Sequence, residues 1–316
     1  MKKPEISNKL VSVIIPSYNH SQWITHSIKS VLNQSYNNLE LIIVDDGSTD
    51  DSHSVINRFR SDERVKIILN SQNIGQGNCI NQGLDQARGD YICFLPSDDW
   101  YYPDAIFMLA SKFDELPNCY GIVYGPTDRY NEASGNLRHS TRRLYRGDVR
   151  RQLIDDWGFI SPMSPMYRRN VFLDFPMLDG YRAEGESIFF KIATKYLFDY
   201  IPEVVGVMRE HTYNTGSKHL LMAEETITWW IEYLNSDSAC DFYAQRRGDI
   251  LGFLYRVYGL TILRFTSEVL IARRLLVNAV SVKPYYIFDI KVISGIIMTF
   301  LGKSFVQFFF RVFWRN

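Results

Sequence analysis

The chain has 316 residues, no formal net charge, 46% hydrophobic residues and 22% charged ones. So apolar a composition excludes a disordered or fibrous chain, and the charge balance gives no global reason to bind nucleic acid. The length allows one large domain or two ordinary ones.

Met1 to Leu10 is polar, and the apolar stretch that follows stops at Pro16, so no signal peptide is read at the start. No uninterrupted apolar run reaches the about 18 residues that a membrane span needs. The four cysteines (Cys79, Cys93, Cys119, Cys240) form no C-x-x-C pair, which predicts a reduced, cytoplasmic protein.

In chain order, Val11–Pro16 is a β-branched strand and Trp23–Leu32 carries apolar residues at helical spacing. Leu39–Val44 is a second strand, ending in "DDGSTDDS", where Ser48, Thr49 or Asp50 is expected to cap a helix through Phe59. Val65–Leu69 is a third strand, followed by Gly75, Gly77 and a helix to about Ala87. Tyr91–Leu95 is a fourth, and Pro103 opens a helix to about Glu115. Gly121–Tyr124 is a fifth. Beyond it the sequence predicts a polar hairpin over Thr127–Arg143, a short helix over Asp148–Asp156 and an extended piece over Ser161–Arg168. A helix over Glu184–Tyr196 and an extended Ile201–Met208 follow, and from Leu220 onward the chain reads helical.

Apolar strands without alternation, each followed by a helix, predict an α/β fold with a mainly parallel sheet covered on both faces. Ligands bind such sheets beyond the C-terminal strand ends. The informative segments are therefore "PSYN" (Pro16–Asn19), "DDGS" (Asp45–Ser48), "NSQNIGQGN" (Asn70–Asn78) and "PSDDW" (Pro96–Trp100). Asp98 and Asp99, adjacent at a strand end, repel one another unless a positive charge sits near them. A hard divalent cation held by one or two carboxylates and substrate phosphates meets that need. The plain alternative is a solvated turn that caps the next helix. Asp45 and Asp46 repeat the pattern one strand away, where Gly47 suits a left-handed turn. Tyr18 is either a stacking platform for a flat ring or a core residue.

"VSVIIPSYNHSQWITHSIKSVLNQSYNNLELIIVDDGSTDDS" followed by "GDYICFLPSDDWYYPDAI" resembles the family 2 glycosyltransferases, inverting enzymes with the GT-A fold. The resemblance is dense from Val11 to about Tyr124 and looser to about Ser217. It implies transfer of a sugar from a nucleoside diphosphate sugar, UDP-sugars being favoured, to a hydroxyl on a glycan or lipid-linked acceptor in surface polysaccharide assembly. It implies nucleotide contacts from Pro16, Tyr18, Asn19, Asp46, Asn78 and Asp98. It gives Asp99 the leading metal role for Mg²⁺ or Mn²⁺, with Asp98 on the ribose or as a second metal contact. Trp100 would wall the donor or acceptor pocket, and His211 in "REH" matches a position near the diphosphate and metal, where the alternative is a surface histidine. Two departures stand out: Pro96 replaces an acid common in the motif, and Ile80 stands where many members have Arg. The catalytic base is expected from "AEGES" as Glu184 or Glu186, both open, the alternative for either being a charge that favours the helix N-terminus.

From Arg246 to Asn316 there are eleven Lys or Arg against three acids. Residues 1–219 are therefore expected to form the GT-A domain, and 220–316 a helical region for a membrane interface or for a second copy. That would make the protein peripheral on the inner face of the cell membrane. Two other functions remain: a catalytically silent nucleotide-sugar-binding module, and a nucleotidyltransferase. "PSYNHSQ" counts against the second, because it lacks the glycine and lysine such an enzyme needs after its first strand.

Overall fold

A computed structural model describes residues 8–156, 158–175, 184–212, 218–237, 239–266 and 268–301, the side chains of 184–186 excepted. The chain forms two compact units, Met1–His211 and Thr212–Asn316.

The first unit runs β1 (Val11–Ser17), α1 (Ile24–Leu32), β2 (Leu39–Asp45), α2 (Ser52–Asn57), β3 (Val65–Leu69), α3 (Gln76–Gln86), β4 (Tyr91–Phe94), β5 (Trp100–Tyr101) and α4 (Ala105–Asp114). It continues β6 (Tyr120–Tyr124), β7 (Thr127–Asn131), β8 (Asn136–Arg138), α5 (Arg150–Asp155), β9 (Met166–Arg168), α6 (Val171–Asp174), α7 (Glu184–Ile192), β10 (Leu197–Tyr200) and β11 (Gly206–Glu210). Seven strands make one sheet in the order β10-β6-β9-β4-β1-β2-β3. β1 pairs in parallel with β2 and β4, and β2 with β3. Every residue of β1 and β2 is buried, which is why their apolar runs do not alternate. On one face Val13, Ile15, Ile24, Ile28, Ile43 and Leu109 pack together. On the other, α3 comes so near β1 that a Cβ on Gly83 would lie 2.5 Å from Ile14 Cγ2.

Three features depart from the expected succession. β9, within the extended piece, inserts antiparallel between β4 and β6. Trp100–Tyr101 leaves the main sheet at once and starts a second one, ordered β5-β11-β7-β8, in which the expected polar hairpin supplies β7 and β8. The helix expected from Pro103 begins at Ala105, with Pro103 in the preceding turn.

The second unit contains α8 (His219–Asn235), α9 (Asp241–Ala244), α10 (Arg247–Phe265), α11 (Val269–Val282), a 3₁₀ turn over Pro284–Phe288 and α12 (Ile290–Phe300). Ala223, Ile262, Ala272, Leu276, Tyr286 and Val292 form its core. Asp289 caps α12 through the N–H of Lys291 at 2.9 Å and pairs with Arg256 Nε at 2.6 Å. Among the described residues no helix is long and apolar enough to cross a membrane. Residues 302–316, the end of the expected helical tail, lie outside the described residues.

One buried carboxylate fastens the N-terminal side of the main sheet. Glu40 of β2 accepts from Ser12 Oγ of β1 at 2.6 Å, from the Arg88 N–H at 2.7 Å and from Arg88 Nε at 3.0 Å. Ser12 Oγ accepts in turn from the Gly89 N–H at 2.8 Å, so the turn leading into β4 is tied to β1 and β2 together. Burial pushes the Glu40 carboxyl upward, but the hydrogen bonds from Ser12 and Arg88 outweigh it and hold it below the usual range. A depressed carboxyl adds stability that is present above the unfolded value and lost as pH falls through the folded one. Glu40→Gln is expected to lower the urea-unfolding free energy at pH 7 by about 1–3 kcal/mol, and the gap to the native chain should close as pH falls below the ordinary glutamate range. A gap that stayed constant with pH would show that the charge contributes nothing.

Candidate active site

The C-terminal ends of β1, β2 and β4 lie side by side, because β1 is flanked by the other two. The loops that leave them form one wall. Pro16 stays inside β1 opposite Val44, while Tyr18, just past the strand, is 43% exposed and so is not a core residue. Asn19 has φ +54°, a left-handed conformation that asparagine tolerates. Its N–H donates to Ser48 Oγ at 2.8 Å and its Oδ1 accepts from the Thr49 N–H at 2.8 Å, joining the first loop to the second.

The two acids of "DDGS" have different partners. Asp45 accepts from the Ser48 N–H and hydroxyl, and lies 2.7 Å from His53 Nε2. It holds its own turn. Asp46 instead accepts from the N–H groups of Ile74 at 2.6 Å and Gly75 at 3.0 Å. This contact presses the β2 loop onto the β3 loop: Gly47 has φ +70°, and a Cβ there would lie 2.5 Å from the Gln72 backbone. Asn78, exposed in the first turn of α3, donates to the Ile74 carbonyl at 2.7 Å. Ile80 is buried in the same helix. Asp50, rather than Ser48 or Thr49, serves the start of α2, accepting from the Ser52 N–H at 3.0 Å and also from the Ser21 N–H at 3.0 Å.

The turn after β4 holds the acids in question. Ser27 of α1 sits beneath it, its hydroxyl donating to the carbonyls of Ser97 at 2.8 Å and Asp99 at 2.6 Å. Asp98 Oδ2 lies 2.9 Å from His211 Nε2. Asp99 faces the other way: its Oδ1 accepts from the Arg209 N–H of β11 at 2.8 Å. Burial and the charge of Asp98 both push the Asp99 carboxyl well above its usual value, while Arg209 opposes them. His20 Nδ1 lies 2.7 Å from Ser97 Oγ. Burial lowers the His20 imidazole, against the pull of Asp98, and favours the neutral ring. Trp23 stacks on His211 with centroids 3.8 Å apart and meets His20 edge-on at 5.1 Å.

Among the described residues, the group able to hold a metal ion is His20, Asp98 and His211, whose ligand atoms all lie within 4.8 Å of one another. Its donors, one carboxylate and two imidazoles, fit a divalent cation. Asp99, expected to lead, stands outside this group because its carboxylate is turned to β11. Trp100 lies in β5, with the His26 ring stacked on it at 4.6 Å and the Arg209 guanidinium over it at 4.8 Å, those two side chains meeting at 3.2 Å. Glu184 and Glu186 occupy the first turn of α7, with side chains outside the described ones.

Four residues of this site went unread in the sequence: His20, Trp23, Ser27 and Arg209. His20 and Trp23 had a usable signal, since they follow β1 on the same edge as the acids. Arg209 had its neighbour His211 as a marker. Its guanidinium bonds the Asp98 carbonyl at 3.0 Å and pairs with Glu132, a contact that holds Glu132 below the usual carboxylate range. Ser27 reads as an ordinary helix residue, and only the fold shows its use.

A family model described as glycosyl transferase family 2 matches residues 12–175. Among curated relatives, glycosyltransferase GlyG of Streptococcus pneumoniae is 28% identical over 60% of this chain and 68% of its own. The Campylobacter jejuni GalNAc(5)-diNAcBac-PP-undecaprenol beta-1,3-glucosyltransferase is 40% identical over 40% of each chain. Among solved structures, S. aureus TarS superposes with a TM-score of 0.64 at 19% identity, covering 92% of this chain and 54% of that one. The mannosyltransferase PcManGT from Pyrobaculum calidifontis gives 0.62 at 14% identity, covering 98% and 89%. The match thus spans well under two thirds of some of these proteins. The sheet, its two acid-bearing loops and the span of the family match agree: this chain belongs to glycosyl transferase family 2 and has the GT-A fold.

Proposed function

We propose that the protein is an inverting glycosyltransferase that moves a sugar from a nucleoside diphosphate sugar, a UDP-sugar first, to an acceptor hydroxyl. The observation that carries this reading is the meeting, on one sheet edge, of the Asp46 loop with the Asp98–His211 pair. Support comes from the solved neighbours, TarS with UDP-GlcNAc and PcManGT with GDP-Man and Mn²⁺. The lipid-linked substrate named for the Campylobacter relative supports an acceptor of that class.

In this reading the exposed Tyr18 ring and the Asp46 loop receive the base, with Asn19 and Asn78 fixing the two loops that frame it. Asp98 and His211, with His20 beside them, would hold a divalent cation. The chemistry supplied there would be positive charge to offset that of the departing diphosphate. A carboxylate from the first turn of α7, Glu184 or Glu186, takes the proton of the acceptor hydroxyl. The hydroxyl oxygen bonds to the anomeric carbon as the bond to the β-phosphate oxygen breaks, and a single displacement inverts that carbon. Arg209 keeps Trp100 and the acid turn in place.

The C-terminal unit extends the reading. Phe288 is 88% exposed and Ile290 81%, with the exposed Lys291 next in sequence. This amphipathic surface suits an anionic membrane face, where a lipid-linked acceptor would lie.

The two acids should respond differently to substitution. Asp98→Asn is expected to weaken UDP binding in Mn²⁺ on the order of 10–100-fold, the scale for losing a group around a metal, with little change in Tm. Asp99→Ala should lower stability by about 1–3 kcal/mol, because it strands the buried Arg209 N–H. Calorimetry with and without EDTA, together with thermal melts, checks both; the reverse pattern would exchange their roles. Of Glu184→Gln and Glu186→Gln, one should lose roughly 10²–10⁴-fold in turnover while keeping donor affinity. Near-native turnover in both would place the base elsewhere.

A further inference from the structure

We propose that His20 is a third protein ligand, completing a two-imidazole, one-carboxylate site that prefers a first-row divalent ion such as Mn²⁺ over Mg²⁺. This rests on the reading of Asp98 and His211 as cation ligands given above.

Three observations carry it. The ligand atoms of His20, Asp98 and His211 lie within 4.8 Å of one another. An ion about 2.1 Å from each donor would draw the widest pair in by roughly 1–2 Å, a matter of side-chain rotation. One nitrogen of the His20 ring is also engaged, as the second nitrogen of a ligating histidine is. Its Nδ1 lies 2.7 Å from Ser97 Oγ, which leaves Nε2 as the nitrogen for a metal, and a ligating histidine almost always engages its second nitrogen in this way. Trp23, finally, packs on both imidazoles and holds them at one place.

The donor set then bears on the choice of ion. Mg²⁺ demands oxygen ligands and parts with its water reluctantly. Each imidazole shifts preference toward the transition series, and two imidazoles with a carboxylate are a donor set typical of first-row metals. From this turn Asp98 alone offers its carboxylate, because that of Asp99 is taken up by the Arg209 N–H. A site thus short of oxygen gains from a second nitrogen.

Pulsed EPR of the full chain loaded with Mn²⁺ and UDP counts bound imidazole nitrogens directly and needs no variant. Two are expected; one would overturn the role of His20 while leaving the cation site intact. No Mn²⁺ uptake at all would overturn this inference together with the cation reading on which it rests. Calorimetric titration of the metals alone gives a second measurement. His20→Asn, checked for an unchanged melting curve, should weaken Mn²⁺ binding on the order of 10–100-fold and shrink the Mn²⁺ over Mg²⁺ preference. An unchanged preference would assign His20 to packing.

Discussion

The hydrogen bond from the Arg209 N–H to the Asp99 carboxylate decides how the acid turn is arranged. Two neighbouring carboxylates in a buried turn oppose each other's charge and each lose hydration. Here one is satisfied by the scaffold, and the other is left toward the histidines. The same bond brings β11 against the turn, so that the Arg209 guanidinium reaches the Asp98 carbonyl and Glu132 and lies over Trp100. Because His211 is two residues beyond Arg209, placing the arginine also places the imidazole. The second sheet is thereby the device that carries His211 to Asp98.

Beneath the turn, α1 works as a rack. Ser27, Ser30 and Gln34 are spaced i, i+3 and i+7, one side of the helix and its closing turn. Ser27 bonds the carbonyls of residues 97 and 99, Ser30 Oγ accepts the Tyr101 N–H, and Gln34 accepts the Ile106 N–H while donating to the Tyr102 carbonyl. A stretch of chain that leaves one sheet for another has few ladder bonds of its own, and these side chains replace them. The adjoining face of α1 is apolar and buried, with Ile24, Ile28 and Val31 in the core shared with the sheet.

How legible the molecule was follows from the range of the interactions involved. β1, β2, β3 and β4 are continuous β-branched or apolar runs, so they read to within a residue at each end. The two acid-bearing loops read as well, since a strand end in a parallel sheet is a place with chemical meaning. β9 did not read as a sheet strand, because three residues carry no period and its partners, Tyr91–Cys93 and Ile122–Val123, are far away in sequence. β5 did not read, because two residues before a proline look like a turn. The separate roles of Asp98 and Asp99 could not be seen, since what turns one of them is a backbone N–H 110 residues away. His20 was within reach: it stands four residues beyond Pro16, on the edge already marked by the acids.

The acid turn also has a meaning for descent. The scaffold holds residue 98 by its carbonyl and residue 99 by its carboxylate. Under the proposed function, two adjacent codons would then be under unlike constraint, one for chemistry and the other for architecture. A lineage that gave up transfer while keeping the fold would be released at 98, 20 and 211, and would still have to keep 99. Under that function, an acid at 99 in a distant homologue would speak for the fold alone, whereas an acid at 98 together with the two histidines would speak for retained transfer.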